Sequence, residues 1–328
     1  MGQMKPRVYP RMAKTHNLVL INNPNGQDPR DFAEIAAKIE KLAPNIDTHI
    51  VPHDAQVADC GLSDEVWSRP TFNVAFRWPQ HFRPRRGILY AGRPINKFVQ
   101  AQKYANAGVP VPPTLVYEFG RPLRRAFWGD HVVMKPTRID QTSHGNNVFL
   151  MRTERVADLA PRIYPPNHPA RTEPVLIQSF IDTGEVPVSY RVLLLFGEPL
   201  YCMIFRQHHP RVALDASDKE LLETRIASNA GEDYVHKLVD DPEVLAFARR
   251  AAAAMPAIPL QGIDVIREAG TGKLYVLENN SGGNTWHFSS KFSISSRKLL
   301  TREQRIGQFG AFDIAAKVLV ERTLAEAR

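Results

Sequence analysis

Apolar and polar positions alternate in short runs along most of the chain, with a few stretches of helical period set between them. Asn17 to Ile21 (NLVLI) is a continuous apolar run, as a buried strand requires, and Asn22, Asn23, Pro24, Asn25 and Gly26 make the loop after it. Phe32, Ile35, Ala36, Ile39 and Leu42 recur at helical spacing and predict a helix over Asp31 to Leu42. Strands follow at Thr48 to Val51, Thr71 to Phe76 and Gly87 to Tyr90. This β-α-β opening predicts a small doubly wound lobe, with Asn22, Asn23 and Asn25 where such a sheet presents ligand contacts or plain turns.

Further on, Arg93 to Ala107 reads as a helix closed by Gly108, with Lys97 in its first turn. Val132 to Met134 is a strand delivering Lys135, and the polar loop Thr137 to Asn147 leads to a return strand Val148 to Met151. Such a flap could fold over phosphates with its backbone N–H groups, although the P-loop signature is absent. Pro174 to Ile181 is a further strand. Tyr190 to Phe196 and Leu200 to Phe205 make a hairpin with Arg191 at its start and Arg206 at its end, and a long polar excursion follows. Asp241 to Met255 and Arg302 to Ala327 read as helices.

The stretch between those helices carries the chemistry. Gly262 to Arg267 and Leu274 to Glu278 flank the turn-rich AGTG, the pattern of a β-hairpin. Asp264 shares a face with Ile266, and Glu278 shares one with Val276 and Asn280. Centred near Thr271, the hairpin sets Asp264 opposite Glu278. Facing carboxylates repel. A hard cation relieves this, and Asp, Glu and an Asn amide oxygen are the ligands Mg2+ takes; the alternative is an exposed hairpin with two solvated acids. Ser281 to Thr285 is a small-residue loop through which another molecule could approach the backbone.

Composition sets limits on this picture. A chain of 328 residues with 43% hydrophobic content supports two or three packed lobes. No apolar run nears the roughly 20 residues of a membrane span. The N-terminus lacks the apolar core of a signal peptide, and Pro6 occupies the Ser/Thr position of a myristoylation motif, so a cytoplasmic protein is expected. Cys60 and Cys202 show no metal-type spacing and read as reduced thiols. A net charge of +8 permits anionic partners. With no zinc finger, helix-turn-helix or RNP pattern, nucleic acid is not expected.

The order of these pieces resembles the ATP-grasp superfamily, in the branch of glutathione synthase, the ribosomal-protein glutamate ligase and D-alanine:D-alanine ligase. NKFVQAQKYANAGVPVPPT, VVMKP, LIQSFIDTGEVPVSYRVLLLFGE, GIDVIRE and LYVLENNSGG stand in the family's order, over about Arg93 to Ser290. The resemblance implies an α/β fold of α+β ATP-grasp type: an arm at 1–16, a small doubly wound lobe at 17–92, and two α+β lobes that clasp ATP at 93–178 and 179–328.

It also implies roles. Lys97 and Lys135 would contact nucleotide phosphates and the adenine side of the cleft. Gln178, Ser179 and Ile181 would line the adenine hinge, Glu185 would bind ribose, and His144 and Gly145 would sit in the phosphate flap, which has a single glycine in TSHGNN. Asp264, Glu278 and Asn280 would hold Mg2+, as two ions, with Mn2+ as a substitute. Arg191 and Arg206 would face the transferred phosphoryl group or the acceptor carboxylate. Asn229 in IASNAG would stand on the metal and substrate side, with Ser281, Gly282, Gly283, Trp286 and His287 as substrate candidates beside Asn23, Asn25 and Arg77. The activity implied is a carboxylate-amine ligase working through an acyl phosphate on small-molecule or peptide substrates, with a homo-oligomer compatible. The alternatives are a small-molecule kinase on the same fold and a non-catalytic nucleotide-binding scaffold.

Overall fold

The computed structural model describes residues 13–55, 59–137, 147–164, 166–167, 174–229, 234–291, 294 and 299–328. Three sheets follow one another along the chain. The first is parallel, in the order β2-β1-β3-β4, and is made of β1 (His16–Asn22), β2 (Ile46–Pro52), β3 (Thr71–Ala75) and β4 (Leu89–Ala91). Its central strands are covered on both faces, which explains the unbroken apolar run of β1. α1 (Pro29–Leu42) connects β1 to β2, with Asp28 as the N-cap accepting from the Arg30 N–H. α2 (Asp64–Ser68) brings Trp67 to the opposite face, against Val19, Ile21 and Val51.

α3 (Lys97–Asn106) is shorter than the predicted Arg93 to Ala107. Pro94 disfavours the helical conformation for Arg93, and the Asn96 side chain captures the Phe98 N–H, so the helix starts at Lys97. The second sheet is antiparallel, ordered β5-β8-β6-β7, from β5 (Thr114–Tyr117), β6 (His131–Pro136), β7 (Phe149–Arg152) and β8 (Val175–Ser179). α4 (Arg125–Trp128) and α5 (Val156–Ile163) accompany it. His144 and Gly145 lie outside the described residues.

The third sheet is antiparallel, ordered β11-β10-β9-β12-β13. It comprises β9 (Val188–Leu195), β10 (Glu198–Gln207), β11 (Tyr234–Leu238), β12 (Leu260–Arg267) and β13 (Leu274–Asn280). The polar excursion holds α6 (Asp218–Glu223) and β11, an edge strand whose exposed Lys237 weakens its apolar pattern. On one face of the sheet, Val192, Leu194, Ile263 and Val265 pack under α7 (Pro242–Ala253). On the other, Leu193, Leu195, Tyr201 and Leu260 share a core with Leu18, Leu20, Phe72 and Val74 of the first sheet. Further along that second face the apolar residues give way to Ser189, Arg191 and Asp264, and the cleft begins there.

The C-terminal segment, predicted as one helix, is two: α8 (Arg302–Phe309) and α9 (Ala311–Glu326). Gly310 breaks it in the left-handed conformation, φ 73° and ψ 48°, which glycine adopts without a Cβ clash. α9 returns to the N-terminal lobe, where Phe312, Ala315, Ala316 and Leu319 join the core around Phe32, Ile35 and Ile39 of α1. The mixed α/β architecture expected from the sequence is the one observed.

Candidate active site

A cleft of about 300 Å³ lies between the second and third sheets, closed at one side by Lys97 of α3 and at another by Ile226 to Asn229. Its floor is the β12–β13 hairpin, in which Asp264 and Glu278 are register partners. The next pair is Val265 with Val276, so Leu277 is an extra residue on β13. This bulge corrects the face assignment made from sequence. Val276 turns into the core with Ile263 and Val265, whereas both Leu277 and Glu278 line the cleft. Asn280 and Ile266 line it as well.

Each carboxylate is matched to a cation. Arg191 on β9 donates twice to Asp264, Nε to Oδ1 at 2.6 Å and Nη2 to Oδ2 at 2.7 Å. Asn280 Nδ2 adds a bond to Asp264 Oδ2 at 3.1 Å. Burial pushes the Asp264 carboxyl above the ordinary carboxylate range, and Arg191 pulls against it. Two N–H donors on one carboxylate are the geometry of an ionised pair. Burial likewise opposes the charge on Arg191, but Asp264 overrides it and holds the guanidinium protonated. Lys97 Nζ meets Glu278 Oε2 at 2.9 Å. Burial alone would raise Glu278; Lys97, Lys135 and Arg191 together bring it down to about 2.

The end of β13 is fixed by a chain of buried amides. Gln100, three residues after Lys97 and on the same face of α3, donates to Asn279 O at 3.0 Å and accepts from Asn279 N–H at 2.7 Å. Asn279 Nδ2 donates to Gln261 Oε1, and Gln261 Nε2 donates to the carbonyls of Ala252 in the last turn of α7 and of Met255 and Ile258 beyond it. Lys97 and the flanking residues Glu278 and Asn280 are thereby set by one rigid network. On the opposite wall, Lys135 Nζ donates to Gln178 Oε1 at 2.9 Å, and Gln178 Nε2 donates to Thr114 Oγ1 at 2.9 Å. Burial and the neighbouring Lys97 bring Lys135 down to about 8, despite the attraction of Glu278. Ser179 Oγ is buried at the cleft wall with no hydrogen-bond partner among the described residues, an open position for a ligand group.

The structure thus gathers Lys97, Lys135, Gln178, Ser179, Ile181, Arg191, Asn229, Asp264, Glu278 and Asn280 around one space. Two residues expected there are elsewhere. Arg206 is exposed and outside the cleft, because alternation along β10 gives the inward position to Phe205. Glu185 is also exposed; Thr183, two residues earlier, lines the cleft instead. Ser189 and Phe205 escaped the sequence reading, although Ser189 stands two residues from Arg191 on one strand and a period of two points to it.

The loop after β13 serves largely to join the lobes. Ser281 Oγ donates to Arg93 O at 2.6 Å. Gly282 packs against Pro94. Gly283, at φ +81°, runs so close to Phe76 that an added Cβ would lie 2.6 Å from its carbonyl oxygen. Gln27 Nε2 donates to Gly283 O, and Asn23 accepts from the Asn25 N–H, so these amides hold the β1 loop itself. Trp286, read as a substrate candidate, is fully buried: its Nε1 donates to Asp31 Oδ2 at 2.7 Å and its ring stacks on Phe312. A buried acid on α1 gives the indole a partner inside the core, which a loop rich in Gly and Asn does not reveal. His287 stacks on Tyr201.

No protein-family model and no curated protein sequence matches the chain. Several solved structures resemble it. D-cycloserine synthetase DcsG aligns over 94% of this chain and 99% of its own, at 17% identity and a TM-score of 0.50. The ATP-grasp ligase PsnB, complexed with a phosphomimetic variant of its minimal precursor, Mg and ADP, aligns over 94% and 99% at 14% identity and 0.48. Macrocyclase MdnC from Microcystis aeruginosa MRC, bound with precursor peptide MdnA, aligns over 93% and 99% at 12% identity and 0.49. Likeness at these identities speaks to architecture alone, and the chain shares the mixed α/β fold of DcsG over nearly its whole length.

Proposed function

We propose that the chain is an ATP-dependent ligase that joins a carboxylate to an amine. The observation that carries this reading is the cleft itself: two carboxylates in register on one hairpin, an amide beside them, and three cations from α3, β6 and β9 converging on the same space. Fold likeness to a synthetase supports it.

The donor set fits Mg2+. Asp264, Glu278 and Asn280 offer oxygen ligands from adjacent positions, and Asn280 Nδ2 is already spent on Asp264, which leaves its Oδ1 for a cation. Among the described residues no cluster of three or more His, Cys, Asp or Glu side chains provides another metal site. When bound, Mg2+ supplies charge neutralisation at the phosphates and orients the terminal phosphoryl group.

The chain's own residues do the rest. Lys97 and Lys135 neutralise phosphate oxygens from the two sides, and Ser179 Oγ and the backbone beside it meet the base. The substrate carboxylate attacks the terminal phosphorus of ATP and ADP leaves; the amine nitrogen then attacks the acyl carbon and phosphate leaves. Arg191 stays protonated throughout and stabilises the negative charge that gathers on the transferred group. No protein nucleophile is needed. Burial pushes the Cys202 thiol up to about 12 and raises Cys60 as well, so neither offers a ready thiolate.

Hydroxylamine trapping tests the reading. With Mg-ATP and a panel of carboxylic acids, a substrate acid should release ADP and yield its hydroxamate. A stable phosphorylated alcohol in place of a hydroxamate would establish a kinase, and no ADP release with any acceptor would leave only a scaffold.

A further inference from the structure

Two arginines outside the charge pairs of the cleft occupy equivalent positions on neighbouring strands. β3 and β4 end in register, Ala75 opposite Ala91, and Arg77 and Arg93 each follow two residues later. This is the carboxyl edge of the parallel sheet, where open α/β sheets receive ligands. The chain segments stay close beyond the strands: Gly92 N–H donates to Ala75 O at 3.0 Å, and a Cβ on Gly92 would lie 2.0 Å from Phe76 O. Both arginines are exposed, and neither has an acidic partner among the described residues. Elsewhere on the protein Arg69, Arg125 and Arg249 each meet a carboxylate.

Arg93 is positioned rather than free. The Arg93 guanidinium lies 4.3 Å from the centroid of the Trp78 ring, and the Trp78 carbonyl contacts His53 Nε2 at 3.0 Å. The edge also abuts the cleft. Ser281, directly after Asn280, donates to Arg93 O, and a Cβ on Gly283 would lie 3.3 Å from Arg77 Cβ. Two like charges on one sheet edge repel, and an anion that meets both relieves the repulsion.

We propose that Arg77 and Arg93 form a subsite for an anionic group of the substrate, a carboxylate or a phosphate, distinct from the carboxylate that is activated. The inference rests on the ligase reading and deepens it: the substrate is an acid with a second anionic group. The planar guanidinium fork matches either oxyanion, and Trp78 holds that of Arg93 over its ring.

Calorimetry on the protein loaded with Mg-ADP tests this with three probes: glutarate, 3-phosphonopropionate and butyrate. At least one of the two acids with a second anionic group should bind roughly tenfold or more tightly than butyrate. Glutarate as the tighter ligand marks a carboxylate subsite, 3-phosphonopropionate a phosphate subsite. Arg77→Gln and Arg93→Gln should each remove the advantage while leaving Mg-ADP affinity at the wild-type value. Equal binding of all three probes, or an advantage that survives in both variants, overturns the proposal. Failure of Mg-ADP to bind would count against the nucleotide reading instead, and the same titrations of the unloaded protein would then decide the subsite.

Discussion

Lys135 is a buried cation that the fold holds at a cost, and Lys135→Met should expose that cost. Its ammonium is brought from the ordinary 10.5 to about 8, chiefly by burial and then by Lys97. At about 1.4 kcal/mol per pKa unit, keeping Lys135 charged in the folded protein at neutral pH costs about 3 kcal/mol. Methionine has a similar shape and no charge, but it leaves Gln178 Oε1 without its donor, a loss of about 1 kcal/mol. The variant should therefore be more stable than wild type by about 2 kcal/mol at pH 7. The pH dependence has a definite sign. Between about 8 and 10.5 the unfolded chain binds the lysine proton and the folded chain does not, so wild type gains stability as pH rises through that window. The variant's advantage is full below pH 8 and fades toward 10.5. Urea unfolding of both proteins at pH 7 and pH 10 measures this, with stability read from the midpoint at unchanged slope. Nucleotide affinity should fall in the same variant. A Lys135→Met protein less stable than wild type at pH 7, or a stability difference that does not narrow by pH 10, would show that burial of the Lys135 charge does not cost the folded state.

Three further substitutions probe the parts around it. Asp264→Asn should abolish carboxylate-dependent ADP release and also lower stability by about 3 kcal/mol, because Arg191 loses its buried countercharge; unchanged ADP release would exclude Asp264 from the site. Asp31→Ala removes the acceptor shared by Trp286 Nε1 and Arg302, and urea unfolding should show a loss of about 3–5 kcal/mol; a loss below 1 kcal/mol would show that the contact between the lobes does not depend on it. Gly92→Ala forces a Cβ to within 2.0 Å of the Phe76 carbonyl oxygen, so the β3 and β4 ends must part, and a drop in thermal midpoint of several degrees is expected; an unchanged midpoint would mean that the edge yields freely.

Sequence periodicity carried the architecture further than it carried the site. β1 and α1 were legible because a fully buried parallel strand and a one-faced helix leave strong, distinct patterns. The facing of Asp264 and Glu278 was legible from the symmetry of the hairpin turn. The bulge at Leu277 was not, since one inserted residue changes which side chains face inward without altering composition. The same limit displaced Arg206: β10 has a register shift between Pro199 and Tyr201, and a charged residue at a strand end is the inward choice only if parity is known. Trp286 and Asp31 lie 255 residues apart, and only tertiary packing joins them. Arg77 and Arg93 became a pair through the register of two strands whose sequences have nothing in common.

Glu278, with Asp264 and Asn280, is proposed to hold a nucleotide through Mg2+. Calorimetric titration of ADP into wild type and Glu278→Gln, each with and without Mg2+, tests it most directly. Mg2+ should tighten ADP binding in wild type and have no effect in the variant. ADP binding that is equally tight with and without Mg2+ in wild type would contradict it.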